Sequence, residues 1–273
     1  MTESILIATD GSEAAQAAER YGVALAAKLG ARVVGVTVIE ERWMQTLRAD
    51  SLGVAHPPIE PIEAFLKARA EAASRRLADL ARSQRVDCTT DTLRGVADDR
   101  IAERAQGVDL LVLGRDGLSA SSRSGLIGST VDGVLRKTTK PTIVVPRGAE
   151  FGGGVVLGFD GSPGSRIAAK IAIDLARKLG HSLHVFVDSK DKGRAASRFD
   201  EMRRLLSTSD VQVREASSTL GRPDVKIVDT ARSSGAGLIV IGAFGRNRIS
   251  EYFIGSNAAS IVRTSPVAVL LAR

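Results

Sequence analysis

Ile5-Leu6-Ile7-Ala8-Thr9-Asp10-Gly11-Ser12 returns 150 residues later as Val155-Val156-Leu157-Gly158-Phe159-Asp160-Gly161-Ser162. A short apolar run that ends in Asp-Gly-Ser and leads into a helical stretch opens a strand–turn–helix unit. Its return makes an internal repeat the first thing to test. Ala27-Lys28-Leu29-Gly30 returns as Arg177-Lys178-Leu179-Gly180 at the same offset. Further on, Gly95 and Ile101 match Gly221 and Ile227 at 126, and Leu110-Leu111-Val112-Leu113-Gly114 matches Leu238-Ile239-Val240-Ile241-Gly242 at 128. Lys140-Pro141-Thr142-Ile143-Val144-Val145 matches Ser265-Pro266-Val267-Ala268-Val269-Leu270 at 125. The chain therefore reads as two tandem copies, residues 1–148 and 149–273, joined through the linker-like Phe151-Gly152-Gly153-Gly154. The fall in offset places extra length in the first copy between Gly30 and Gly95, assigned to residues 40–61 with their His56-Pro57-Pro58.

Within the first copy, strand-length apolar runs at Ile5–Ala8, Val33–Ile39, Leu110–Leu113 and Thr142–Val145, with a weaker one at Val86–Leu93, alternate with helical periods. The helical stretches are Ala14–Leu29, Ile62–Ser83, Asp98–Ala105 and Ser129–Lys137. That alternation predicts an α/β fold: two doubly wound domains, each a five-stranded parallel sheet with helices on both faces. Composition agrees. The 273 residues suit two domains of ordinary size, and 44% apolar with only 4% aromatic residues means aliphatic cores, as buried parallel sheets have.

Composition also excludes some chemistries. Cys88 is the only cysteine, so there is no internal disulfide and no thiolate cluster for zinc. The chain runs directly from Met1-Thr2-Glu3 into its first strand, and no apolar stretch nears the ~20 residues of a membrane span. A cytoplasmic protein without membrane contact is expected. Residues 149–273 hold 18 Lys/Arg against 12 Asp/Glu, whereas residues 1–148 hold 20 against 19. The basic second half attracts anions or is a solvated face; without interleaved aromatics it does not resemble a nucleic-acid binder. His56, His181 and His184 are read as structural or surface residues, and Asp98-Asp99 and Glu40-Glu41 as helix-start or solvated charges.

Ligands of open parallel sheets collect beyond the carboxyl ends of the strands. Two features fall there in each copy. Asp10 and Asp160 follow the first strand, where they can accept from a base or ribose; a plainer reading is a tight turn with Ser12 or Ser162 capping the next helix. After the fourth strand come Gly114-Arg115-Asp116-Gly117, ten residues, then Gly128-Ser129-Thr130. The second copy has Gly242-Ala243-Phe244-Gly245, nine residues, then Gly255-Ser256-Asn257. Glycines admit close backbone approach, and the free amides of the following helix favour anions, so a repeated loop of this kind points to phosphate. The plainer alternative makes the glycines strand ends and turns, and the serines N-caps.

The Gly-x2-Gly-x9-Gly-Ser pattern, the Asp after the first strand, Ile254-Gly255-Ser256 and Arg263-Thr264-Ser265-Pro266-Val267 together resemble the universal stress protein family, across both copies nearly end to end. The first copy departs by one extra residue between Gly117 and Gly128. The resemblance implies adenine-nucleotide binding, with adenine and ribose near Asp10, Val38 and Leu113, or Asp160, Val187 and Ile241. It places the triphosphate of ATP, with or without Mg²⁺, on Gly114, Gly117, Gly128, Ser129 and Thr130, or on Gly242, Gly245, Gly255, Ser256 and Asn257. It also implies two domains packed as a pseudo-dimer, with a homodimer as a further option. Arg246 and Arg248 favour the second site, whereas the first has Arg115, Asp116 and Arg123. No P-loop, Rossmann fingerprint or nucleophile elbow occurs, and no general base stands out. Regulation through bound ATP is the leading expectation. The alternatives are a slow ATPase or self-phosphorylating protein using Ser129, Thr130 or Ser256, and a nucleotide-free interaction module.

Overall fold

The computed structural model describes residues 2–41, 59–117, 127–207, 209–243 and 255–273. The first half runs β1 Ser4–Ala8, α1 Glu13–Leu29, β2 Arg32–Glu40, α2 Ile59–Ser83, β3 Cys88–Gly95, α3 Ala97–Ala105, β4 Leu110–Gly114, α4 Ser129–Lys137 and β5 Thr142–Val145. The second runs β6 Gly154–Gly158, α5 Pro163–Leu179, β7 Leu183–Asp188, α6 Lys192–Leu206, β8 Val213–Ser218, α7 Pro223–Ser234, β9 Ala236–Gly242, α8 Ser256–Thr264 and β10 Ala268–Ala272.

All ten strands form one sheet in the order β3-β2-β1-β4-β5-β10-β9-β6-β7-β8. Each half is parallel throughout, and the two meet edge to edge where β10 pairs antiparallel with β5, Val269 opposite Val144. Alternation along the strands explains why both faces are apolar. Ile5, Ile7, Val33 and Val112 share a core on one face with Val155, Leu157 and Val185. Leu6, Val34, Leu111 and Leu113 share the other with Val156, Ile239 and Ile241. Both cores thus run through the junction. Helix α1 touches α5 across it, and the ring of Tyr21 meets Phe151 edge-on with centroids 5.4 Å apart. The expected linker is therefore packed: a methyl on Gly153 would lie 2.9 Å from the Gly237 amide.

Two sequence alignments need correction. Leu111 pairs with Thr142 and Ile239 with Val269; since Leu111 corresponds to Ile239, Thr142 corresponds to Val269, an offset of 127. The two-residue slip from 125 arose because Pro141 borders β5 while Pro266 stands two residues before β10. The extra length of the first copy is not confined to residues 40–61 either. Glu40 ends β2, residues 59–61 already belong to α2, and α2 has 25 residues where α6 has 15. Residues 42–58, including His56, lie outside the described residues.

Among the described residues no helix is long and apolar enough to cross a membrane, and no group of three His, Cys, Asp or Glu side chains could hold a metal ion. Burial lowers the pKa of both His181 and His184, as suits neutral structural imidazoles. The paired acids also act as ties. Lys137 Nζ donates to Asp98 and Asp99 at 2.6 Å each, and Glu40 accepts from the Ala97 amide at 3.1 Å.

Candidate functional site

The turn after the first strand is the same in both halves. Asp10 Oδ1 accepts from the Ser12 amide at 2.9 Å, and Asp160 Oδ1 from the Ser162 amide at 3.0 Å. Between them Gly11 and Gly161 take φ of 77° and 74°, left-handed values that favour glycine. Ser12 Oγ then accepts from the Ala15 amide and Ser162 Oγ from the Ser165 amide, each at 3.2 Å, which starts α1 and α5. The turn-and-cap reading of these residues is thus realised. Asp10 remains exposed and Asp160 half-exposed at the carboxyl end of the sheet.

The glycine loops are built differently from their plainer reading. Gly128 and Gly255, not the serines, are the N-cap residues of α4 and α8, and neither helix start has a side-chain cap. Each cap glycine is tied back to the loop before it: the Gly128 amide donates to the Arg115 carbonyl at 3.1 Å, and the Gly255 amide to Ala243 at 3.0 Å. The Arg115 and Ala243 amides in turn donate to Val145 and Ala272 at the ends of β5 and β10. The first helical bonds run from the Asp132 amide to Gly128 and from Ala259 to Gly255. The amides of residues 129–131 and 256–258 are those that a helix cannot pair internally. Ser129, Ser256 and Asn257 are exposed and Thr130 is half-buried.

Loop and turn come together in the first half. A methyl placed on Gly117 would lie 3.9 Å from Asp10 Oδ2, and one on Gly128 would lie 3.5 Å from the Gly117 amide. Gly114 and Gly242 have a separate duty. Methyls there would meet the Ala14 carbonyl oxygen at 2.9 Å and the Gly164 carbonyl carbon at 2.8 Å, so these glycines let the starts of α1 and α5 cross β4 and β9. Leu113 and Ile241 are 3% and 6% exposed, so a ligand beside them meets mainly backbone.

Val38 and Val187 are not counterparts. Ala8 pairs with Val36 and Gly158 with Phe186, which makes Asp188 the partner position of Val38 and Thr37 that of Val187. Val38 packs on one face of the sheet and Val187 on the other. Val38 stands two residues before the end of β2 and Val187 one before the end of β7. Gly245, Arg246, Arg248 and Arg123 lie outside the described residues.

Around Asp10 the structure adds residues that the sequence did not disclose. Arg69 Nε, from α2, donates to the Asp10 carbonyl at 2.9 Å. Arg76 Nε donates to Glu19 Oε2 at 2.9 Å, Thr9 Oγ1 donates to Glu19 Oε1 at 2.5 Å, and the Gly11 amide donates to Thr9 Oγ1 at 3.1 Å. Arg76 is held above even its usual high pKa, first by its bond to Glu19. One signal was available: Glu19 sits among the apolar positions of α1 and is 1% exposed. Arg115 is a second surprise, since its Nη1 donates away from its own loop, to the Ser265 and Arg263 carbonyls at 2.8 and 3.2 Å.

A sequence model described as the universal stress protein family matches residues 1–146 and again 154–273. The chain belongs to the universal stress protein family. A universal stress protein of Synechocystis sp. is 22% identical over 289 residues, covering 99% of this chain and 100% of that protein. One from Mycobacterium tuberculosis is 27% identical over 198 residues, covering 63% of this chain, and the chain spans 64% of that protein's length. A solved universal stress protein from Archaeoglobus fulgidus shares the fold along the whole chain, with a TM-score of 0.82 over 100% of this chain and 99% of that one at 19% identity. The tandem repeat read from the sequence is therefore two universal stress protein domains in one chain.

Proposed function

We propose that this universal stress protein is a cytoplasmic regulatory protein that binds ATP at the carboxyl ends of its strands, with the second half the tighter site. One observation carries the reading: in both halves a helix starts at a bare glycine N-cap, tied back to the preceding loop, with its open amides on the same strand ends as the Asp turn. Such helix starts favour phosphate. In this reading Gly117, Gly128, Ser129 and Thr130 hold the phosphates in the first site, and Gly245, Arg246, Gly255, Ser256 and Asn257 in the second. Asp10 and Asp160 meet the ribose or base. Mg²⁺ accompanies the triphosphate.

Charge favours the second site. The first turn of α8 holds no acidic residue, whereas that of α4 holds Asp132. Lys190, in the connection after β7, and Lys192 and Arg194, in the first turn of α6, are exposed at the carboxyl edge of the second half. In this reading the ligand is held rather than turned over.

Calorimetric titration of the intact chain with MgATP tests this, alongside Ser256→Glu and Ser129→Glu. Glutamate at a first helical position suits the helix dipole, so it repels phosphate without unfolding the helix. Ser256→Glu is expected to weaken the tighter event at least tenfold and Ser129→Glu the weaker one. Absence of binding heat, or unchanged affinities in both variants, overturns the reading.

A further inference from the structure

Arg115 connects the first loop to the carboxyl end of α8. Its amide is bonded to Val145 at 2.8 Å and its carbonyl to the Gly128 amide at 3.1 Å, so its backbone fixes the start of α4. Its side chain leaves the first half: Nη1 bonds the carbonyls of Ser265 and Arg263, at the carboxyl end of α8, while Nε faces Asp116 Oδ2 at 3.4 Å. Only 20% of the side chain is exposed. Helix α8 has nine residues, a rigid rod of about 13 Å. Its amino end carries the open amides of the second site, and its carboxyl end rests on the loop of the first. A cation at the carboxyl end and an anion at the amino end act on the same helix dipole.

From this we propose that Arg115 couples the two nucleotide sites, so that occupancy of one changes the affinity of the other. The proposal rests on the nucleotide reading above. Phosphate on the amides of residues 256–258 draws α8 along its axis, and the carbonyls of Arg263 and Ser265 move against a guanidinium whose own backbone sets the Gly128 cap. Binding at the first site shifts that cap and acts back through the same bonds, as linkage requires. Among the described residues the device is one-sided. The residue corresponding to Arg115 in the second half is Ala243, which has no side chain to reach α4.

The test is a double-mutant cycle on the full chain, read site by site through amide hydrogen exchange. Protection of residues 129–131 against MgATP concentration reports the first site, and that of residues 256–258 the second. The chains are the unmodified protein, Ser256→Glu, Arg115→Ala and the double variant, with Arg115→Lys as a version that keeps a cation near the carbonyls. In the Arg115 background, closing the second site with Ser256→Glu is expected to move the first-site midpoint about fivefold, the lower range of allosteric couplings. In the Arg115→Ala background the same change moves it less than twofold, and Arg115→Lys falls between. An equal shift in both backgrounds, or none in either, overturns the coupling and leaves nucleotide binding standing. Protection at residues 256–258 with none at 129–131 also overturns it. No protection at either segment overturns the coupling together with the nucleotide reading.

Discussion

Gly114 and Gly242 show how one residue type carries two messages. Both were legible as members of a repeated glycine loop, and the loop suggested approach to phosphate. Their surroundings assign them first to packing, because a single methyl would press on the backbone of α1 or α5 at under 3 Å. Sequence spacing cannot separate these duties, since both follow from the missing Cβ. Gly242→Ala is therefore expected to cost about 1–3 kcal/mol, the usual penalty of overpacking a tight site. Chemical denaturation reads that cost directly, and an unchanged midpoint would show that the crossing relaxes freely. Arg115 was harder to place. Its position between two glycines marked it as a loop charge, and nothing in the chain signals that its partners lie 148 and 150 residues away.

Strands and helices were the most legible level. The apolar runs at β1, β4 and β5 and the helical period of α4 coincide with the observed elements to within one residue, because each is buried on the face that its pattern implies. Helix α2 was less so: its first turn fell inside the segment assigned as extra length, and Pro61 tolerates a helix start as readily as a loop. The same helix shows how the two halves diverge. In the first half Arg76, Glu19 and Thr9 form a polar bridge from α2 through α1 to the turn at Gly11. At the repeat positions of Thr9 and Glu19 the second half has Phe159 and Ala169, both buried. Removing the Arg76 guanidinium leaves a Glu19 side chain only 2% exposed without its cation, although Arg76 itself is 37% exposed. Arg76→Ala is expected to cost about 2 kcal/mol, less than the ~3–5 of a fully buried pair. A joint Arg76→Ala, Glu19→Ala variant should be less destabilised than additivity allows, and additive losses in thermal unfolding would refute the bridge.

For the molecule as a whole, the deciding contact is the one that an offset between repeats does not reveal. Two parallel half-sheets were readable from the alternation of elements, but their antiparallel seam through β5 and β10 was not, since edge pairing depends on which strand each half leaves open. A chain cut to residues 149–273 bares the outer edge of β10 and the face of α5 that meets α1. An uncovered edge invites another strand, so the fragment is expected to pair with itself through β10 and to scatter light as a dimer. A monomeric fragment would show that the seam is incidental. The same seam turns the halves head to tail. Strands of the first half end on one long border of the sheet and strands of the second on the opposite border, so the mouths of the two candidate sites open away from each other. A body settling over one border leaves the other uncovered.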